Sequence, residues 1–205
     1  MKSKVFSALL LLSSLPLMAQ GNAPIVQHQD GLFANASAVS NETTVSAVVS
    51  RGSALFTGQA TTFIFFDMIT VTPDGFTDTS GVGTIPNDAI KGDDPAHVVL
   101  DIDLSQLTTV SGATCTVDVV DSTQNCSPTP LIGVIHLEWR QTKSFSLHTT
   151  STFEQTFFQF EINSHVESDS SSAAATGSLL GFDMSNGNGQ VGVNHASTMV
   201  FVKVH

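Results

Sequence analysis

Tyrosine is absent from this 205-residue chain, tryptophan occurs once (Trp139), cysteine occurs twice, and 7 basic residues face 18 acidic ones. Each shortage argues against a class of function. Binding to nucleic acid is driven by Lys and Arg that displace counterions from phosphate, and too few are present. Anionic membrane surfaces are disfavoured for the same reason. Carbohydrate platforms and protein-interface hot spots draw on Trp and Tyr, which join an apolar face to a hydrogen-bonding edge. An outer-membrane barrel carries aromatic girdles at both interfaces, and the residues for them are missing. No Gly-x-Ser-x-Gly elbow, His-Glu-x-x-His motif or Cys-x-x-Cys pair occurs, so the common signatures of hydrolases, zinc proteases and thiol redox enzymes are lacking.

What is present begins with a leader. Lys2 and Lys4 precede the uncharged apolar stretches Val5 to Leu12 and Leu15 to Met18, and Leu17-Met18-Ala19 ends in a small residue. This is the pattern of a secretory signal peptide over residues 1–19. The stretch is short of the roughly 20 apolar residues a membrane span needs. The mature chain is therefore expected to start near Gln20, to carry no membrane span and to reach the periplasm or the extracellular space. Removing the leader takes two lysines and no acid, moving the formal charge from -11 to -13. Acidity of this order keeps an exported protein dispersed and leaves a divalent cation or a basic partner compatible.

Residues 20–42 are polar, rich in Gly, Asn, Ser and Gln, and suggest a flexible arm or a loosely docked first strand. From residue 43 to residue 205, short runs of β-branched and aromatic residues are punctuated by Gly, Pro, Asn and Asp, the spacing of an all-β domain. Strands are predicted over Thr44–Arg51, Ala60–Thr72, Phe76–Pro86, His97–Leu104, Leu131–Thr142, Ser144–Thr150, Phe153–Asn163, Gln190–Val193 and Ser197–Val204. The unbroken Phe63-Ile64-Phe65-Phe66 predicts a strand covered on both faces, and the 14 phenylalanines read as core. Val98, Leu100, Ile102 and Leu104 alternate with Asp101 and Asp103, and Ile135, Leu137 and Trp139 alternate with His136, Glu138 and Arg140. The Ser/Ala tract over residues 168–178 fits a strand or a helix. The architecture predicted is a two-sheet β-sandwich, jelly-roll or Greek-key like, of about eight to ten strands.

Cys115 and Cys126 in an exported chain predict a disulfide that staples a local hairpin. Closing a loop of about 12 residues contributes roughly 3 kcal/mol in the chain-entropy account. Gly187-Asn188-Gly189-Gln190-Val191-Gly192 matches G-x-G-x-x-G in letters, but a strand-like segment follows and no acid lies beyond it to hold a ribose. It reads as a glycine-rich hairpin turn.

Two His-x-Glu pairs, His136/Glu138 and His165/Glu167, place an imidazole and a carboxylate on one face of a strand, about 6.5 Å apart. On neighbouring strands, four ligands of a kind suited to zinc would converge. His97, Asp101 and Asp103 form a third such group. Asp88, Asp93 and Asp94 in the preceding loop offer hard oxygen donors for calcium, although no twelve-residue calcium loop fits. The plainer account of all three groups is ordinary alternation, with polar residues facing water.

The function expected is a secreted, non-enzymatic β module with a binding, surface or structural role and no cofactor. The alternatives are a metal-binding protein or metal-dependent enzyme using the two His-x-Glu pairs, with zinc or calcium as the divalent metal, and a surface-filament subunit.

Overall fold

The computed structural model describes residues 25–53, 59–92, 94–142, 147–157 and 160–202; the leader lies outside the described residues. The strands are β1 (Ile25–Ser40), β2 (Thr43–Ser53), β3 (Ala60–Thr72), β4 (Gly75–Ile85), β5 (Ile90–Lys91), β6 (His97–Asp103) and β7 (Val110–Asp118). Then come β8 (Thr123–Pro128), β9 (Val134–Gln141), β10 (Leu147–Phe157), β11 (Phe160–Leu179), β12 (Phe182–Asp183) and β13 (Gly187–Val202). Single 3₁₀ turns at Asn87–Ala89 and Leu104–Gln106 are the only helical elements among the described residues. None of the described helices is long and apolar enough to cross a membrane.

All thirteen strands join one antiparallel sheet, where two sheets were expected from the sequence. Its order is β5-β6-β9-β11-β13-β1-β2-β3-β4-β7-β8. The long β11 is shared lengthwise. β10 pairs with its first half through Leu147↔Ser170 to Phe157↔Phe160, and β9 with its second half through Ala173↔Gln141 to Leu179↔Ile135.

The sheet rolls around its apolar face. Trp139 on β9 is fully buried and its indole Nε1 donates to the Asn35 carbonyl oxygen on β1 at 2.7 Å. Three strand-to-strand steps separate these residues along the ladder, roughly 14 Å in a flat sheet, so β9 must curl over β1. Small residues permit it: Ala34, Ala36, Ala47, Ala173 and Ala175 are all buried in the layer beneath. At the other end the Asn87 side chain ties the turn after β4 to β3, accepting from the Thr62 hydroxyl at 2.6 Å and donating to the Ala60 carbonyl at 2.8 Å. No ladder joins β5 to β8 among the described residues, and the rolled sheet stays open.

Alternation explains the inner face. Val98, Leu100, Ile135, Leu137 and Trp139 are fully buried, as their pattern predicts, and their polar neighbours face out. The Pro73-Asp74 turn joins β3 to β4, with Thr72 opposite Gly75.

Several expectations need correction. Of the two readings of residues 20–42, residues 25–40 take the strand and not the arm, and the strand is firmly docked: β1 is paired on both sides, by β2 and by β13. Its inward residues are Leu32, Ala34, Ala36 and Ala38, and alanine is too weakly apolar to stand out against Phe33 and Val39 on the other face. β3 is central but covered on one face only, since Phe63 and Phe65 are 42% and 39% exposed while Ile64 and Phe66 are fully buried. Among the described residues Phe66 is the only phenylalanine in the buried core, which is built from aliphatics, alanines and Trp139.

The break expected at residues 151–152 does not occur. β10 runs through it, because Ser and Thr there face solvent on a strand as readily as in a turn. The tract over 168–178 is strand, within β11. The Gly187–Gly192 segment is the start of β13 and no turn, its glycines serving close strand approach. A Cβ on Gly189 would lie 1.8 Å from the Asn35 carbonyl oxygen.

Candidate functional site

The two His-x-Glu pairs do not meet. His136 lies opposite Ser178 on β11, thirteen residues beyond His165, roughly 43 Å along the strand. Instead β9 brings His136 and Glu138 beside the His97 and Asp101 of β6. His97 Nε2 lies 2.7 Å from Glu138 Oε1, His136 Nδ1 is 3.7 Å from Asp101 Oδ1, and Lys91 Nζ is 3.2 Å from Asp101 Oδ2. Arg140 also pairs with Glu138. The hydrogen bond from His97, joined by the charge of Arg140, holds the Glu138 carboxyl below the usual glutamate range. Asp103 is occupied in capping the next turn, accepting from Ser105 N at 3.0 Å and Ser105 Oγ at 2.6 Å. Each acid on this face is thus met by a cation or by a turn.

Of the calcium candidates, Asp94 is engaged locally, accepting from Ala96 N at 2.8 Å. Asp93 lies outside the described residues.

A second constellation forms where the strands run past the core. The inward side of β1 carries Ala34 and Leu32, and continuing along the same side places Asp30 and then His28. Asp30 stands opposite His195 of β13, which stands opposite Glu167 of β11. One row further, His28 stands opposite Ser197, which stands opposite His165. These residues, with Ala196, line an open cleft of about 470 Å³, a volume in the range of small-ligand sites. His195 Nδ1 lies 2.7 Å from Asp30 Oδ1, and His165 Nε2 lies 3.3 Å from Glu167 Oε1. No hydrogen bond engages the His28 ring or joins the Ser197 hydroxyl to an imidazole among the described residues.

Two carboxylates and no Lys or Arg line the cleft, so it attracts cations at neutral pH. On its β10 side His148 Nδ1 lies 2.6 Å from Asp169 Oδ1. That hydrogen bond, aided by the charges of Asp169 and Glu167, raises the proton affinity of His148.

Of the seven expected ligands, only His165 and Glu167 fall in this cleft. His28 and Asp30 are missed because residues 20–42 look like an arm. His195 is missed because nothing acidic lies near it in sequence. The signal available was His28-Gln29-Asp30, a His-x-Asp with strand spacing that gains meaning only once β1 is known to be a strand. As they stand, no three His, Cys, Asp or Glu side chains among the described residues are disposed to share one metal ion. Cys115 and Cys126 are bonded to each other across β7 and β8. No known protein family, curated protein or solved structure matches the chain.

Proposed function

We propose that this chain is a secreted, non-enzymatic β-sheet module with a binding role, and that it binds through the cleft at the β1–β13–β11 end. One observation carries the proposal: strands from distant parts of the chain set five ionisable side chains, His28, Asp30, His165, Glu167 and His195, around one open cleft with no Lys or Arg among them. A purely structural sheet end has no need of such a concentration of imidazole and carboxylate on its core-facing side. The leader, the disulfide and the acidic composition fit an exported protein.

Thermal-shift measurements test this with a fixed panel: Zn²⁺, Ca²⁺, a neutral and an acidic oligosaccharide, and a cationic peptide. Ser197→Arg serves as the cleft-blocking variant. A ligand at a hundredfold excess over its dissociation constant stabilises the fold by about 2.7 kcal/mol, and that gain should vanish in Ser197→Arg. No stabilisation by any panel member, or stabilisation that Ser197→Arg retains, would overturn the proposal. Hydrolysis of a chromogenic ester that is lost in Ser197→Ala would instead make the protein an enzyme.

A further inference from the structure

Resting on the binding role just proposed, we infer that the cleft takes one divalent transition-metal ion, zinc(II) or copper(II), on the imidazoles of His28, His165 and His195, with Asp30 as the positioning residue for His195. The sheet sets the geometry. His28 and His165 flank Ser197 on the two neighbouring strands, so their Cα atoms are separated by two strand spacings, roughly 10 Å. His195 lies one row away on the middle strand, roughly 8 Å from each of them by the same spacings. Three imidazoles on a triangle of that size reach a common point above its centre. The residue between His28 and His165 is Ser197, whose short side chain leaves that point open to the cleft.

The chemistry of the donors selects the ion. Neutral imidazole suits zinc and copper, whereas calcium and magnesium demand a shell of oxygens that two exposed carboxylates do not supply. Asp30 lies 2.7 Å from His195 Nδ1. Accepting the Nδ1 proton fixes the tautomer that leaves Nε2 free to ligate, the usual arrangement of a carboxylate behind a metal-bound histidine. His28 carries no competing hydrogen bond among the described residues. His165 is turned onto Glu167 at 3.3 Å, and it must rotate away from that exposed partner to join the others. Glu167, released by the rotation, then faces the cation. The β6–β9 face offers no such set, because Lys91 and Arg140 already neutralise its acids and repel an ion.

Isothermal titration of the untagged exported chain with Zn²⁺, Cu²⁺ and Ca²⁺ separately tests the assignment. One Zn²⁺ or Cu²⁺ per chain is expected, with Ca²⁺ binding weaker. Each of His28→Ala, His165→Ala and His195→Ala should weaken binding at least about 10-fold, and Asp30→Asn about 10-fold. His136→Ala, on the distant β9, should leave it unchanged. Electron paramagnetic resonance of the Cu²⁺ complex gives an answer independent of any variant's folding. Three nitrogen ligands are expected in the native chain, three again in Asp30→Asn, and two in His195→Ala. No binding of either ion, fewer than three nitrogens in the native chain, equal loss in His136→Ala, or a preference for Ca²⁺ would overturn the metal assignment. Should metal fail while another panel ligand still shows stabilisation lost in Ser197→Arg, the metal assignment falls and the binding role stands. Failure of the whole panel removes both.

Discussion

Asp67 on β3 and Asp78 on β4 face each other diagonally on the outer side of the sheet, each with one Oδ1 out of solvent and without a hydrogen-bond partner. Burial above all, with the hydrogen bond and charge of Asp78 acting in the same direction, raises the Asp67 pKa from 3.8 to about 6. A carboxyl whose folded-state pKa lies above its unfolded value contributes stability that is fully present below the unfolded value and lost as pH rises through the folded one. The pair's contribution is therefore fully present below pH 3.8, falls away between 3.8 and about 6, and is absent above that. Asp67→Asn stays neutral and still donates a hydrogen bond to Asp78. It should raise unfolding free energy by about 1 kcal/mol at pH 8, a value discounted for the pair's partial solvation, and by nothing at pH 4. Urea denaturation at the two pH values is the check, and an equal effect at both would show the pair ionises normally. Neither carboxylate stands out in the sequence, since only the β3–β4 register makes them neighbours.

Among the elements, the β7–β8 hairpin at one end of the sheet is the least supported. Every residue of β8 is exposed, and β8 has a single partner, β7, to which the Cys115–Cys126 bond ties it. Loop-closure entropy alone would assign the bond roughly 3 kcal/mol of global stability, but a strand with no buried face opens locally before the whole sheet does. Replacing both cysteines by serine should therefore collapse amide-exchange protection over Thr123–Pro128 while β1, β11 and β13 keep theirs. Uniform loss of protection across the sheet would mean that the hairpin is coupled to the core. Of the strands legible beforehand, β2, β6 and β9 alternate apolar with polar residues, and β3 carries an unbroken apolar run. In β1 and β11, where strand was only one of two readings, alanine and serine stand where the pattern needs contrast, because the rolled sheet has room there only for small side chains.

Across the whole molecule, imidazole–carboxylate pairing recurs. His97, His136, His148, His165 and His195 each lie beside an Asp or Glu. The shifts pull in opposite senses on the two sides of mild acidity. Raised Asp67 and raised His148 add stability that is lost as pH climbs through about 6 for Asp67 and through a value above 6.5 for His148. Lowered Glu138 adds stability that is present above 4.5 and lost as pH falls below it. Self-repulsion of an acidic chain, with a formal charge of -11 at pH 7, also eases on acidification. The melting temperature should therefore peak between roughly pH 4.5 and 6, and it should be higher at pH 5.5 than at pH 8. A scanning-calorimetry profile that rises steadily from pH 5 to 8 would contradict this balance.

The sequence by itself determined the β class, the inward faces of β6 and β9, and the cysteine pairing. All of these are local matters of side-chain period and spacing. Tertiary structure decided the rest. Strand order, and the curl that carries Trp139 over β1, depend on pairings between residues more than a hundred positions apart. The same long-range register separated the two His-x-Glu pairs and assembled a different set, His28, Asp30, His165, Glu167 and His195, from segments near the two ends of the chain. Periodicity shows which face a residue takes on its own strand. Which residues become its neighbours is set by the register of strands distant in sequence, and only the folded sheet fixes that.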